Sequence, residues 1–578
     1  MAENFVRAAR LADVEAAGTL VVNVEGEGLA LFAYDGGIYA VDNRCPHMGF
    51  PLHRGTLKDG ILTCHWHHAR FDIASGGTFD LFADDVRAYP AVIRGQDVWV
   101  DLAPRGDPLL HQQERLREGL ENNIPLVVAK AVILLLDRGE DPADPFRIGL
   151  NFGTRYRRDG WGPGLTMHTA FMNLLPNLQD QDRPRALFHG LGAVASNTEG
   201  EPARFMLRPL PTSVTAIDTL KQWFRQFIEV RDDEGAERCI VSAVRAGASS
   251  EQMADLMFAA ATDHRYINTG HVVDFTNKAF EALDIAGWEY AEQTLTSLTR
   301  ALATATRMEE SNSWRNPVDL VTIVEDACEE LPAALNDGAG RSRSWDQEDE
   351  LIPILLSDEP KDISGALLGA IRAGATPEQV AKGVAYAAAL RIARFHVSNE
   401  FSDWDTALHT FSFAHAIHQG IKRVRSAEVV RGIFDAAMSV YLDRFLNVPA
   451  TRLPSPDDLT DDPDSILAEL PNLLDEQQRV NRSGELVARY LNSAGNADRL
   501  IAILGGLLLR EDRDFHTIQT VEACDRQFQE RKGTPQGTNI LVAAARYLAA
   551  HAPTVRAQGQ TYQIAQRLFH GERLYEEA

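Results

Sequence analysis

The stretch CPHMGFPLHRGTLKDGILTCHWHHARFD, residues 45–72, contains two cysteines and two histidines in a paired pattern. Cys45 and His47 form C-x-H, and after sixteen further residues Cys64 and His67 form C-x-x-H. Each half therefore supplies one thiolate and one imidazole. The spacing predicts two loops that bring these four side chains to one common centre.

Two kinds of metal centre use two cysteines and two histidines. In one type of [2Fe–2S] cluster, two thiolates bind one iron and two imidazoles bind the other. That cluster needs one cysteine and one histidine from each loop. Structural zinc sites usually pair like with like, as C-x-x-C followed by H-x₃₋₅-H. The mixed halves therefore favour a [2Fe–2S] cluster, with zinc as the alternative.

The first hundred residues contain short runs rich in Val, Ile, Leu and aromatic residues, separated by glycine-bearing turns. This pattern predicts a compact antiparallel β unit. A linker rich in Pro, Gly and charged residues is expected at 103–108. The predicted strands are Leu20–Val24, Leu29–Tyr34, Ile38–Val41, Ile61–Thr63, Ala69–Asp72 and Val98–Leu102.

The cluster motif, its β-rich surroundings and the sequence FDIASGG at residues 71–77 resemble the small Rieske ferredoxins and the N-terminal domains of Rieske oxygenases, over residues 5–102. The resemblance implies that the two cysteines bind the buried iron and the two histidines the outer iron. The extra loop cysteines of high-potential respiratory Rieske proteins are missing, which implies a lower-potential, ferredoxin-like cluster. His68 stands where this family usually has glycine.

After the β unit, long Ala- and Leu-rich stretches carry apolar residues at helical spacing. The expected fold class is multidomain, with a small antiparallel β domain followed by a large all-α region. Breaks in the helical pattern divide the chain further. The predicted domains are 1–104, the Rieske domain; 105–350 and 351–450, two helical lobes that hold one repeat copy each; and 465–578, a C-terminal helical lobe.

An internal repeat supports the all-α prediction. Residues 243–252 read AVRAGASSEQ, and residues 370–379, 127 positions later, read AIRAGATPEQ. The glycine of each copy suits a helix C-terminus, and the Ser or Thr that follows suits the next N-cap. The copies therefore predict duplicated helix-turn-helix units. They also resemble the carboxymuconolactone decarboxylase/alkylhydroperoxidase-D helical fold, without the E-x-x-C-x-x-H redox motif of that peroxidase.

The repeat places two histidines at matching positions. With a gap of two residues, His271 aligns with His396, and each has a carboxylate at helical spacing, Asp274 or Glu400. Two histidines and one carboxylate can hold non-haem iron and leave positions open for dioxygen. We therefore predict a second metal site between the duplicated helices. Further candidate ligands are His168, His409 and His415.

Two other histidine-bearing segments bear on this prediction. His516 is flanked by charged residues in REDRDFHT, residues 510–517, and is expected to be solvated or to face a substrate rather than to bind metal. Residues 168–175 and 404–418 look somewhat like parts of the questin oxidase-like proteins. Those proteins are helical oxygenases of aromatic polyketides, so the resemblance implies that the helical region could have an oxygenase activity of that kind.

Two functions are compatible with this sequence. The first is an oxygenase-type oxidoreductase, a mono- or dioxygenase, in which the cluster passes electrons to a metal centre in the helical region for O₂-dependent oxidation of a small organic substrate. The second is an electron-transfer or redox-responsive protein whose helical region is a docking scaffold without its own metal. The histidine and acid residues on the repeat favour the first. The absence of the D-x-x-H-x-x-x-x-H iron motif of ordinary Rieske oxygenases favours the second.

Charge and composition limit the partners. The formal net charge is −25, which disfavours binding to nucleic acid or to an anionic membrane. The longest apolar run, residues 500–509, is shorter than the roughly 20 residues that span a bilayer, so a cytoplasmic protein is expected. No G-x-G-x-x-G motif follows a predicted strand, which predicts a separate NAD(P)H-dependent reductase. A homo-oligomer is compatible with the sequence.

Overall fold

A computed structural model gives the fold of this chain in two compact units. Unit 1 comprises residues 1–148 and 558–578, and unit 2 comprises residues 149–557. The predicted domain boundaries inside the helical region stay predictions, and residues 104–106 of the predicted linker lie outside the described part. The structure describes residues 5–103, 107–211, 216–341, 345–454 and 462–575.

Unit 1 contains the predicted antiparallel β domain. Its strands form three sheets, ordered β2-β3-β4-β8, β1-β10-β9 and β5-β6-β7. Leu31 on β3 pairs with Leu20 on one side and Ala40 on the other, so the middle of β3 is buried. The strands are β1 Phe5–Arg10, β2 Thr19–Val24, β3 Glu27–Tyr34, β4 Gly37–Asp42, β5 Thr56–Lys58, β6 Ile61–Thr63, β7 Arg70–Asp72, β8 Ala88–Tyr89, β9 Ala91–Arg94 and β10 Asp97–Asp101.

Helices accompany the strands of unit 1. The α2–α3 pair packs together, with Asp107 capping α2 and Pro at the first turn of both helices. The helices are α1 Leu11–Ala17, α2 Pro108–Glu121, α3 Pro125–Asp137, and α4 Ala143–Arg155, which continues into unit 2. A helix from the far end of the chain, Ala557–Phe569, also belongs almost entirely to this unit.

The regular secondary structure in the described residues of unit 2 is all helical, which confirms the predicted fold class. None of the described helices has the length and apolar character needed to cross a bilayer. Its helices are α5 Pro163–Leu174, α6 Arg183–Thr198, α7 Ile217–Glu229, α8 Asp233–Arg245, α9 Ser250–Thr262, α10 His271–Ala286, α11 Ala291–Thr296, α12 Thr299–Thr304, α13 Asn312–Arg315, α14 Leu320–Ala339, α15 Glu348–Leu355, α16 Pro360–Arg372, α17 Pro377–Ala393, α18 Asp403–Arg423, α19 Ala427–Val430, α20 Gly432–Leu442, α21 Pro463–Leu473, α22 Val480–Asn492, α23 Ala497–Leu509, α24 Phe515–Gln529 and α25 Pro535–Ala550. The Ala557–Phe569 helix of unit 1 is α26.

The predicted helix-turn-helix repeat is confirmed as the pairs α8–α9 and α16–α17. Gly247 and Gly374, in the two turns, have φ angles of 81° and 106°, which favour glycine. Each second helix then begins with a capping box, in which Ser249 or Thr376 exchanges hydrogen bonds with a glutamine three residues on. Local sequence therefore determines both turns.

The repeat does not extend to the two histidines. Helix α9 has 13 residues and is followed by a short 3₁₀ turn, after which His271 begins α10. Helix α17 has 17 residues, and His396 follows it in the segment before α18. Glu400 lies in the same segment, so His396 and Glu400 share no helix face, in contrast to the sequence-based expectation.

Candidate metal centres

The two loops that carry the predicted cluster ligands have the same backbone hydrogen bonds. In the first loop, Cys45 N donates to Phe50 O at 2.8 Å and Gly49 N donates to Cys45 O at 2.8 Å. In the second, Cys64 N donates to Ala69 O at 2.9 Å and His68 N donates to Cys64 O at 3.0 Å. Each cysteine therefore begins a turn that is closed by the same two backbone hydrogen bonds, to the residues four and five positions later.

These turns explain why glycine is common at the position of His68. Gly49 has a φ angle of 81°, and His68, at the equivalent place in the second turn, has a φ angle of 61°. Both values lie in the left-handed region, where glycine is favoured over other residues. The side chain of His68 is exposed, and we do not assign it as a cluster ligand.

The two cysteine sulfurs lie side by side in the core of the β domain. Cys45 and Cys64 are both buried and hydrogen-bonded to each other through their side chains. The hydrogen bond from Cys45, together with the backbone N–H groups of Trp66 and His67, lowers the pKa of Cys64 to about 6. The N–H groups of His47 and Met48 likewise donate to the Cys45 sulfur. Donors aimed at both sulfurs suit thiolates that bind iron.

The two histidines, one from each cysteine-bearing loop, have neighbouring rings. The ring centroids of His47 and His67 are 4.9 Å apart, with the rings nearly perpendicular. His47 Nδ1 is buried without a hydrogen-bond partner, and burial lowers the pKa of this imidazole to about 4. A neutral ring with an unpartnered nitrogen suits a metal ligand. The four residues therefore fit a [2Fe–2S] cluster, with His67 on the exposed side.

Helical parts of unit 1 contact the same loops. Arg44 donates to the carbonyl of Leu568, in helix α26, at 2.9 Å. The ring of Tyr575 packs on Phe50 and Trp66, with centroid distances of 5.4 and 6.1 Å. The cluster loops are therefore held by residues outside the β domain as well as within it.

Unit 2 contains a group of three histidines. His271 begins α10, His409 lies in α18 and His516 lies in the first turn of α24. One ring nitrogen from each lies within 4.8 Å of the others. His409 Nε2 and His516 Nε2 are 3.1 Å apart, and the His271 and His409 ring centroids are 4.6 Å apart. Both α10 and α24 pack on α18, which brings the three residues together.

The electrostatics of this group favour neutral rings. Burial, reinforced by the neighbouring histidines, lowers the pKa of His271 to about 3 and that of His409 to about 4. His271 Nδ1 is buried without a hydrogen-bond partner. Neutral imidazoles present lone pairs to a cation, so His271 and His409 have the protonation state that metal binding requires.

A carboxylate and a phenol support the third histidine. Asp405 Oδ2 lies 3.7 Å from His516 Nδ1, and Tyr547 donates its hydroxyl proton to Asp405 Oδ1 at 2.9 Å. Metal-bound histidines commonly have a carboxylate on the ring nitrogen away from the metal, which fixes the orientation of the ring. Here that arrangement leaves Nε2 of His516 facing His409.

Aromatic side chains and an unusual backbone segment border the three histidines. The rings of Phe275 and Phe515 are each 5.5 Å from that of His271. Just before His271, the residues Asn268 and Thr269 have φ angles of 48° and 50°. Such conformations cost free energy for non-glycine residues and cluster at functional sites.

The structure brings together only part of the predicted second site. His271 and His409 meet, and His516, which was expected to be solvated or substrate-facing, joins them. Asp274, a turn further along α10, is buried and accepts a hydrogen bond from Gln519, and burial raises its pKa to about 7. The remaining candidates lie apart from the three histidines: His168 is buried in α5, His396 contacts Ser398 at 2.6 Å, Glu400 is exposed, and His415 belongs to a different group.

That different group is a buried cluster of charges. One nitrogen of His415 and one oxygen each of Glu281 and Glu522 lie within 4.8 Å of one another. Lys278 Nζ donates to Glu281 at 2.9 Å and to Glu522 at 2.6 Å, and all four residues are almost fully buried. Because a lysine cation already bridges the two carboxylates, this group is best explained as a buried ion-pair network.

The network makes Lys278 important for stability. Lys278→Met should lower the free energy of unfolding by about 3–5 kcal/mol, because it removes the cation that bridges two buried carboxylates and leaves only Arg526, 3.5 Å from Glu281. Lys361→Met, which removes an exposed cation from α16, should change it by less than about 0.5 kcal/mol. Chemical denaturation followed by circular dichroism measures both. Equal effects of the two variants would contradict this explanation.

The β domain matches known proteins. The Rieske [2Fe–2S] domain family matches residues 4–90. The ferredoxin component of the naphthalene 1,2-dioxygenase system of Pseudomonas aeruginosa is 35% identical over 104 residues, which is 18% of this chain and 100% of that protein. The 3-phenylpropionate/cinnamic acid dioxygenase ferredoxin subunit of Photorhabdus laumondii is 34% identical over 77 residues, 13% of this chain and 73% of that protein.

A solved structure matches the same share of the chain. The ferredoxin of carbazole 1,9a-dioxygenase from Nocardioides aromaticivorans IC177 is 28% identical and covers 18% of this chain and 98% of that protein, with a TM-score of 0.16. The family match contains both cluster loops, and the P. aeruginosa protein is matched over its full length. This chain therefore belongs to the Rieske [2Fe–2S] family through its N-terminal domain, which carries a [2Fe–2S] cluster and serves in electron transfer.

Proposed function

We propose that this chain is a self-contained oxygenase: its Rieske domain supplies single electrons to a metal bound in unit 2, for O₂-dependent oxidation of a small organic substrate. The observation that carries the proposal is the group of His271, His409 and His516. An electron carrier joined to a second redox metal accounts for both units of the chain. A carrier alone needs no such group.

The spacing of the histidine nitrogens suits one metal ion. Two imidazoles bound at about 2.1 Å and at roughly a right angle have their nitrogens about 3 Å apart. His409 Nε2 and His516 Nε2 are 3.1 Å apart. Imidazole ligands suit iron, copper, zinc and nickel, and of these iron and copper are redox-active in oxygenases. We propose non-haem iron, held by these three histidines in place of the two histidines and one carboxylate predicted from sequence.

The proposed four ligands of the Rieske cluster are Cys45, His47, Cys64 and His67. The cluster supplies one-electron transfer when it is bound. In the protein itself, N–H donors hold the sulfurs in place, and the exposed ring of His67 leaves one edge open to solvent. Trp66 lies against that ring, with centroids 4.5 Å apart. We propose this edge as the place where an electron donor docks.

Metal content tests the oxygenase proposal. Purified, reconstituted chain should contain about three irons, two of them with acid-labile sulfide in the Rieske cluster. Two irons and no other redox metal would instead support the carrier function. Relatives named as separate ferredoxin components of dioxygenase systems favour that second function, because such a component acts on a partner oxygenase.

Electron supply gives a further prediction. NADH alone should reduce the cluster poorly, because the sequence contains no recognisable flavin or nicotinamide site, whereas NADH with a flavin-dependent reductase should reduce it fully. Bleaching of the visible absorption in an anaerobic cuvette measures both rates. Full reduction by NADH without a second protein, at a rate similar to that with the reductase, would contradict the prediction.

A further inference from the structure

A lysine from a helix outside the Rieske domain reaches the first cluster loop. Lys130 lies in α3, which begins at Pro125, 35 residues after the family match ends at residue 90. Its Nζ donates to the carbonyl of Pro46 at 2.7 Å and also to the carbonyl of His47. Both residues belong to unit 1, as does the whole of α3.

The two carbonyls that Lys130 contacts belong to the peptide groups whose N–H donors face the Cys45 sulfur. The peptide that carries the Pro46 carbonyl also carries the N–H of His47, and the peptide of the His47 carbonyl carries the N–H of Met48. Those two N–H groups donate to the sulfur of Cys45. Two hydrogen-bonded paths therefore connect Lys130 to Cys45 Sγ. In each path the ammonium donates to the carbonyl of a peptide group, and the N–H of that same peptide group donates to the sulfur. Hydrogen bonds in such chains polarise and strengthen one another.

The lysine also has little other compensation for its charge. Its ammonium lies partly buried against the loop, where it contacts the Pro46 and His47 carbonyls. Asp84 acts on it electrostatically, but Asp84 is already paired with His111 at 3.0 Å and with Arg115 at 3.3 Å. A partly buried cation interacts more strongly with nearby charge than an exposed one does, because screening by water is weaker there.

Reduction of a [2Fe–2S] cluster adds one negative charge to it. A cation beside the loop, and stronger hydrogen bonds to a ligand sulfur, both stabilise the reduced form more than the oxidised form. We propose that Lys130 is a positioning residue that raises the reduction potential of the Rieske cluster above the value that the domain would have without α3. The appended helix thus adjusts the driving force for electron transfer. The proposal requires the cluster but not a metal in unit 2.

Potentiometric titration of the full chain, followed by electron paramagnetic resonance of the reduced cluster, tests the proposal. At a fixed ambient potential, Lys130→Met should lower the ratio of reduced to oxidised cluster at least tenfold, about 59 mV for a one-electron couple. Lys130→Arg keeps the charge and should stay within threefold of the unmodified protein. Arg138→Met removes an exposed cation at the end of the same helix and should also stay within threefold.

A change of less than threefold in Lys130→Met, with iron and sulfide content intact, would overturn the proposal. So would an equally large drop in Lys130→Arg, because the charge would then not be the cause. If Lys130→Met fails to hold its cluster, Lys130→Gln decides, since its amide can still donate to a loop carbonyl. A neutral Gln variant with a ratio at least threefold lower supports the proposal, and an unchanged ratio overturns it.

Discussion

Replacing His47 or His67 by serine should abolish the optical spectrum of the Rieske cluster and remove two irons per chain, while unit 2 should stay folded. Serine offers iron no imidazole nitrogen, and the buried Nδ1 of His47 has no other function in the loop. We expect complete loss rather than a partial one, because each histidine is one of only two on its iron. Iron and acid-labile sulfide determinations, with visible absorption spectra, measure the effect.

His68→Gly provides the matched control for these variants. His68 is next to His67, is exposed and has a φ angle of 61°, which glycine adopts without strain. The variant should therefore retain the full cluster and gain a little stability. Loss of the cluster in His68→Gly, or its retention in His47→Ser, would show that the assignment of the four ligands is incorrect.

If the oxygenase proposal holds, His409→Ala should remove the proposed third iron from unit 2 and, with it, O₂ consumption that depends on substrate. Loss of residues that merely orient metal ligands already weakens metal binding by about 10–100-fold, and loss of a ligand should exceed that. The expected change is therefore at least 100-fold in affinity for the third iron, with the two irons of the Rieske cluster unaffected. Competition with a chelator, followed by metal analysis, measures it.

His396→Ala is the control for the second site. His396 was, with His271, a leading candidate from the sequence, but its ring contacts Ser398 and is not part of the three-histidine group. It should keep its third iron. If His396→Ala lost this iron and His409→Ala kept it, the metal would lie elsewhere, and the three histidines would meet only because α10 and α24 pack on α18.

The cluster ligands were predictable because each pair lies within one short loop. C-x-H and C-x-x-H fix the ligands relative to their own turns, so the pattern of residue types is sufficient. The repeat was also predictable, since Gly247 and Ser249 determine a local turn and cap. In both cases the interactions that form the structure connect residues only a few positions apart.

The second site depends on contacts between distant helices. His409 and His516 are separated by 107 residues, and only the packing of α24 on α18 brings them together. The sequence did contain one unused signal: Asp514 caps α24, which places His516 in the first turn of a helix rather than in a charged loop. The additional four residues of α17 relative to α9 explain why the repeat did not place His396 beside His271.

The position of α26 in unit 1 has a consequence for synthesis on the ribosome. The cluster loops are made early, but Leu568 and Tyr575, which contact Arg44, Phe50 and Trp66, are made much later. At about 5–20 residues per second, the 495 residues between Asp72 and Leu568 separate these two events by roughly 25–100 s. During that interval the cluster loops lack these contacts, so we expect that iron and sulfide can reach Cys45 and Cys64 more easily than in the finished fold.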